Sequence, residues 1–221
     1  VRAQGAAERR DGKTVRLYGA FQDITERKRA EEVQRKNAER AAMLAEISQS
    51  LAEVTSDPRA TLDLIARRVT ELIGDTTIIR LVSKDSLYLD PVAIHHPDPA
   101  SLEHMRELYA SVRLGVNEGF APRIFQTRQA LLLPSITTEQ IRATIEPRLW
   151  PLVDLYSIHS LITAPLRSQG RIIGLLTVMR LQPDKPYTAE DRDFLQDLAD
   201  RAALALTNAW LFTEMEQRVT E

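Results

Sequence analysis

Cysteine is absent from the 221 residues, and that gap removes a wide range of chemistry. Disulfides, thiolate metal sites, cysteine nucleophiles and thioether-linked chromophores are all excluded. No apolar run approaches the ~20 residues of a membrane span, and no signal-peptide pattern is visible. No membrane contact is therefore expected in this segment, and a cytoplasmic location is. Neither sign of charge dominates: 29 Lys and Arg stand against 31 Asp and Glu. That balance gives no electrostatic reason to expect nucleic acid or an anionic membrane as partner. A Gly-rich phosphate loop, a nucleophile elbow and a kinase nucleotide-binding motif are missing too. The four histidines are His95, His96, His104 and His159. His95 and His96 are adjacent, so on a strand they point to opposite faces and cannot chelate one ion together. His104, in SLEHMREL, lies on an outer helix without the pattern of a kinase phosphoacceptor. No catalytic residue and no metal site is expected, and this chain is not expected to be an enzyme. It begins at Val1 in mid-pattern, which reads as a piece of a longer protein.

What is present is organised around SLITAPLRSQGRIIGLLTVMRL, residues 160–181. The stretch reads as two strands, Ser160 to Arg167 and Arg171 to Leu181, around a polar turn in which Gly170 is free to take positive φ. Both strands carry apolar residues on both parities, so both faces should be covered and the hairpin should lie mid-sheet. Pro165 and the β-branched content argue against a buried helix. Thr76 to Val82 is expected beside it.

In chain order, Val1 to Gln22 reads as a hairpin about Asp11-Gly12. Asp23 or Thr25 then caps a helix that runs from Glu26 to Thr55. Along it Ala30, Val33, Asn37, Arg40, Leu44, Ile47, Leu51 and Val54 alternate by three and four, which is a heptad seam. A second helix starts at Asp57-Pro58 and stops at Gly74. Two strands follow, Thr76 to Val82 and Leu87 to Ile94, and then a helix beginning at Pro97-Asp98-Pro99. Gly115 to Phe120 is expected as a loop leading into a short helix that ends near Thr127. Ala130 to Leu133 should be a short strand, and Thr137 to Tyr156 two short helices broken by Pro147 and Pro151. Thr188 and Asp191 have capping-box spacing at the head of the last helix.

Two resemblances follow from these residues. GKTVRLYGAFQDITERKRAEE resembles the C-terminal end of a PAS sensor domain, whose tail would occupy residues 1–25, with a linker coiled coil over 26–55. The blocks NEGFAPRIFQTRQALLLPS, SLITAPLRSQGRIIGLLTVMR and YTAEDRDFLQDLADRAALALTNAWLF resemble a GAF domain over residues 42–212, leaving 213–221 as the start of an output helix. The resemblance implies an α/β (α+β) three-layer domain with a central antiparallel sheet of five or six strands. Long helices should cover one face and short helices with loops the other, enclosing a small-molecule pocket. It also implies a bacterial signalling protein of the sensor histidine kinase type, dimeric through parallel helices, with its output domain outside this chain. A ligand-free dimerising relay, or a cyclic-di-nucleotide enzyme as output, is the alternative.

The cofactor is left open. A cysteine-linked bilin is excluded. Cyclic nucleotide is not expected, because the Asn-Lys of GAF domains that bind it is replaced by Met179-Arg180. Arg180 and Asp191 are expected to pair and fix the last helix to the sheet. Tyr88, Trp150, Tyr156 and His159 are the pocket candidates.

Overall fold

A computed structural model describes residues 2–53, 57–154 and 156–220. The chain divides into two compact units, Val1–Ala45 and Glu46–Glu221.

In the first unit, β1 (Arg2–Arg10) and β2 (Lys13–Gln22) form the expected antiparallel hairpin. Asp11 (φ 50°) and Gly12 (φ 76°) both take the left-handed region that a two-residue turn of this hand requires. Helix α1 spans Thr25–Glu53, and the Asp23 carboxylate accepts the first free amide, that of Thr25, at 2.8 Å. Of the expected seam, Val54 lies outside the described residues, as do the side chains of Asn37, Ile47 and Leu51. Val33 is 58% exposed in the single chain and Leu44 is buried.

The second unit begins with α2 (Pro58–Ile73), and Asp57 accepts the Arg59 amide. Its apolar spacing puts Leu62, Ile65, Ala66, Val69 and Ile73 on one buried side. Strands β3 (Thr76–Val82) and β4 (Tyr88–His95) follow, then α3 (Pro99–Ser111), which opens at Pro99 with Asp98 as its cap. The segment expected as a plain loop contributes a two-residue strand, β5 (Leu114–Gly115), bonded to the start of β4. Helix α4 (Ala121–Thr127) and β6 (Leu131–Leu133) come next. Helix α5 (Thr138–Arg142), a 3₁₀ turn at Pro147–Leu149 and α6 (Trp150–Asp154) complete the irregular middle. The central hairpin is β7 (Ser160–Ser168) and β8 (Arg171–Arg180). Gln169 and Gly170 turn it, both at positive φ. The last helix, α7 (Ala189–Thr220), starts in a reciprocal cap. There the Asp191 amide donates to Thr188 Oγ1 at 3.2 Å, and the Thr188 amide donates to the Asp191 carboxylate at 2.9 Å.

The six-stranded antiparallel sheet has the order β5-β4-β3-β8-β7-β6. Strand alternation sorts its side chains into two sets. Thr77, Ile79, Leu176, Val178, Ile162 and Ala164 align across β3, β8 and β7. This set faces α2, as the Thr70–Thr77 hydroxyl bond at 2.8 Å shows, and α7, which packs on β7. Ile78, Thr177 and Thr163 align on the other face, as do Arg80 with Leu175 and Met179 with Leu161. They meet α3, α6 and the segments between, in a core that includes Met105, Tyr109, Ile141, Leu149 and Val153. The doubly apolar strands are thus covered on both sides. At roughly 1.5–3 kcal/mol for each fully buried large aliphatic side chain, these two interfaces dominate the stabilisation of the unit.

Arg180 departs from expectation. Its guanidinium lies 4.6 Å from the centre of the Tyr187 ring, while Asp191 is engaged in the Thr188 cap. Position explains it: a carboxylate three residues into the helix is held by the free amides of the first turn.

Candidate functional site

The sheet face turned away from α2 and α7 is not closed completely by the layer above it. A cavity of about 120 Å³ remains. Its floor is Arg80 of β3, Leu89 and Pro91 of β4, Leu161 and Thr163 of β7, and Leu175, Thr177 and Met179 of β8. Its roof comes from Tyr109 of α3, Phe120, Ala121 and Ile124 around α4, Ile141 and Ile145 near α5, and Leu149 and Val153. The strand residues are those of one parity, so the pleat itself selects the floor.

Polar groups are few and grouped. Thr163 and Thr177, opposite each other in register, have their hydroxyls 3.1 Å apart. The Arg80 guanidinium sits 5.1 Å from the centre of the Tyr109 ring, within cation–π range. Among the described residues Arg80 is the one charged member of the lining. Pro91 and Tyr109 also border a second groove of about 400 Å³ between α2, β4 and α3, which carries Arg59, Asp63 and Arg106.

The roof is braced from outside. The Glu118 carboxylate accepts the Gly115 amide at 2.6 Å and an Arg148 nitrogen at 2.8 Å. Arg148 also donates to the Arg113 carbonyl at 2.6 Å. Arg113 in turn grips both oxygens of Asp90 at 2.7 and 3.0 Å. The loop over the cavity is therefore pinned to the edge of the sheet.

None of the four sequence candidates is in the described lining of the cavity; Tyr88 joins this bracing, and the other three sit at other joints. Tyr88 lies under the Arg113 guanidinium, 4.0 Å from ring centre to carbon. Trp150 lies 5.1 Å from Arg142, which donates to Asp154 at 2.8 Å. Tyr156 donates its hydroxyl to the Ser101 carbonyl at 3.1 Å, and burial pushes its pKa up. His159 uses its backbone: its amide donates to the Arg180 carbonyl at 2.8 Å, and its carbonyl accepts from Ile136. These rings are at the edges of elements, where an amphipathic side chain covers a joint and keeps its polar tip on a partner. Arg80 and Tyr109 were missed. The available signal was a lone charge inside the apolar strand TTIIRLV.

Among the described residues no group of three or more His, Asp or Glu side chains is placed to hold a metal ion. No helix among them is long and apolar enough to cross a membrane.

Comparison with known proteins agrees with this architecture. The family model described as GAF domain matches residues 40–206, well over half of the chain. The GAF domain of a phosphoenolpyruvate-protein phosphotransferase from Coxiella burnetii superposes with a TM-score of 0.61 at 17% identity, covering 78% of this chain and 95% of that one. A free methionine-R-sulfoxide reductase from Neisseria meningitidis, solved with its substrate, gives 0.61 at 19% identity over 80% and 93% of the two chains. In sequence, 94 residues are 29% identical to the circadian input-output histidine kinase CikA of Synechococcus elongatus. That alignment takes in 42% of this chain and 12% of the kinase.

Proposed function

The chain belongs to the GAF domain family, and we propose that it is the sensory and regulatory module of a longer signalling protein, with a small molecule as its input. The observation that carries this reading is the sharing of strands between the cavity and the last helix. Thr163 and Thr177 face the cavity, while their neighbours Ile162, Ala164, Leu176 and Val178 are buried on the α7 side of the same strands. A ligand that shifts β7 by a fraction of an ångström repacks α7 directly, because α7 packs on that strand and a close-packed interface does not absorb such shifts.

The output is a histidine kinase in this proposal, supported by the similarity to CikA and by the resemblance of residues 1–25 to a PAS tail. In that reading the module works in the cytoplasm as a parallel homodimer along α1 and carries no catalytic group of its own. The sulfoxide reductase chemistry of its structural neighbour is not carried over, since that chemistry needs cysteine and this chain has none.

A thermal-shift screen of small molecules on the purified chain, followed by hydrogen exchange, tests the proposal. Compounds that raise Tm should also change exchange along α7, and Ala121→Leu, which narrows the cavity, should abolish both responses. A screen with no hits, repeated with small apolar solvents that enter any accessible cavity of this size, would leave the module as a ligand-free relay.

A further inference from the structure

Three arginines in the layer over the cavity are neutralised by carboxylates: Arg113 by Asp90, Arg142 by Asp154 and Arg148 by Glu118. Arg80 is not. Among the described residues its guanidinium has no hydrogen bond and no ion pair, and its one contact of note is the Tyr109 ring. The Tyr109 hydroxyl likewise has no hydrogen-bond partner among the described residues, although the residue is 8% exposed. Among the described residues the cavity lining contains no Asp or Glu. A guanidinium held in a largely apolar wall without a counter-charge is costly, and an anion supplied from outside removes that cost.

We propose that the ligand of this cavity is a small apolar monocarboxylate, its carboxylate paired with Arg80 and its hydrocarbon body resting between β8 and α4. The inference rests on the small-molecule reading above and names the chemical class. A planar guanidinium matches a carboxylate through two parallel hydrogen bonds. Among the described residues the lining holds no second cation, which a dicarboxylate or a phosphate ester would need for its remaining charge. Beyond the carboxylate, the ligand meets Leu89, Ile124, Leu175 and Met179, none of which offers a polar side-chain atom. The Thr163–Thr177 hydroxyl pair can accept or donate one further bond. Size follows from volume. About 150 Å³ of apolar cavity takes one benzene, so about 120 Å³ suits a body of roughly four to six carbons.

Titration calorimetry with three isosteric probes tests the assignment: isovalerate, isovaleramide and isopentanol, with acetate and inorganic phosphate as size and anion controls. Isovalerate should bind at least tenfold more tightly than the amide or the alcohol, and acetate should bind more weakly than isovalerate. Arg80→Gln should erase the tenfold preference while leaving the circular dichroism unchanged, and Arg80→Lys should keep part of it. Should Arg80→Gln fail to fold, the comparison of the three isosteres on the unaltered chain still decides. Equal binding of acid, amide and alcohol overturns the carboxylate assignment but keeps the ligand cavity. Preference for phosphate overturns it in favour of another anion. No binding by any probe, charged or neutral, removes both this inference and the small-molecule reading.

Discussion

Arg167, on the second-to-last strand in sequence, and Asp200, on the last helix, form a two-pronged ion pair. Nε of the arginine donates to Oδ1 at 2.8 Å, and a terminal nitrogen donates to Oδ2. Gln196, one turn earlier, donates to the Pro165 carbonyl at 3.3 Å and to the same aspartate at 3.2 Å. The clamp joins a strand of the cavity floor to the helix proposed as output. Both side chains are more than a third exposed, so solvent screens much of the Coulomb energy. A double-mutant cycle of Arg167→Ala and Asp200→Ala should give a coupling of about 0.5–1 kcal/mol, with faster amide exchange in the middle of α7. Zero coupling would reduce the pair to a surface contact.

Gly174 faces the backbone of β3. A β-carbon there would collide with the Arg80 carbonyl and approach a Leu81 methyl to 2.9 Å. Backbone in a central strand cannot move aside as a side-chain tip can. Gly174→Ala should therefore destabilise by roughly 1–3 kcal/mol and displace Arg80 from the cavity floor. Urea denaturation combined with isovalerate titration checks both effects.

Tyr187 is 2% exposed, and its hydroxyl is buried without a hydrogen-bond partner among the described residues. Burial raises its pKa far above 10, opposed by the nearby Arg180. The folded state thus holds the proton more tightly than the unfolded chain. The associated stability is fully present below pH ~10 and is lost as pH rises beyond it. Tyr187→Phe should remove this alkaline loss and leave neutral-pH stability unchanged or higher by up to ~1 kcal/mol. Melting curves of the two proteins from pH 8 to 11 decide the matter. A parallel decline in both would assign the alkaline sensitivity elsewhere.

The same hydroxyl lies 2.7 Å from the place a β-carbon on Gly74 would take. Gly74→Ala alone should lower Tm, and Gly74→Ala with Tyr187→Phe should recover most of the loss. Additive effects would separate the two sites.

The absence of cysteine permits a clean test of the proposed dimer. Val33→Cys and Leu44→Cys, both on the proposed heptad seam of α1, should cross-link between subunits under mild oxidation. Glu46→Cys, off the seam, should do so poorly. Val33 is the sharper probe because it is exposed in the single chain. Uniform cross-linking at the three positions would remove the parallel seam.

The sequence by itself determined the elements and their order. Asp57-Pro58, Thr188 with Asp191, Asp11-Gly12 and Gln169-Gly170 act within a few residues of themselves, through amide capping and left-handed turns, so their effect is written locally. Strands apolar on both parities announced a sheet covered twice, and six strands with two covering layers are what formed. The cavity was decided only by tertiary structure. Tyr88, Trp150, Tyr156 and His159 were chosen by residue type, and type does not say which side of a joint a ring will cover. Arg80 lines the cavity because register places it opposite Leu175 and because α3, which starts 19 residues later at Pro99, carries Tyr109 back over it. A bulge between Ile79 and Arg80 in the pairing with β4 and the missing side chain at Gly174 set that approach. None of these distances is local in the chain, so no spacing in the sequence carries them.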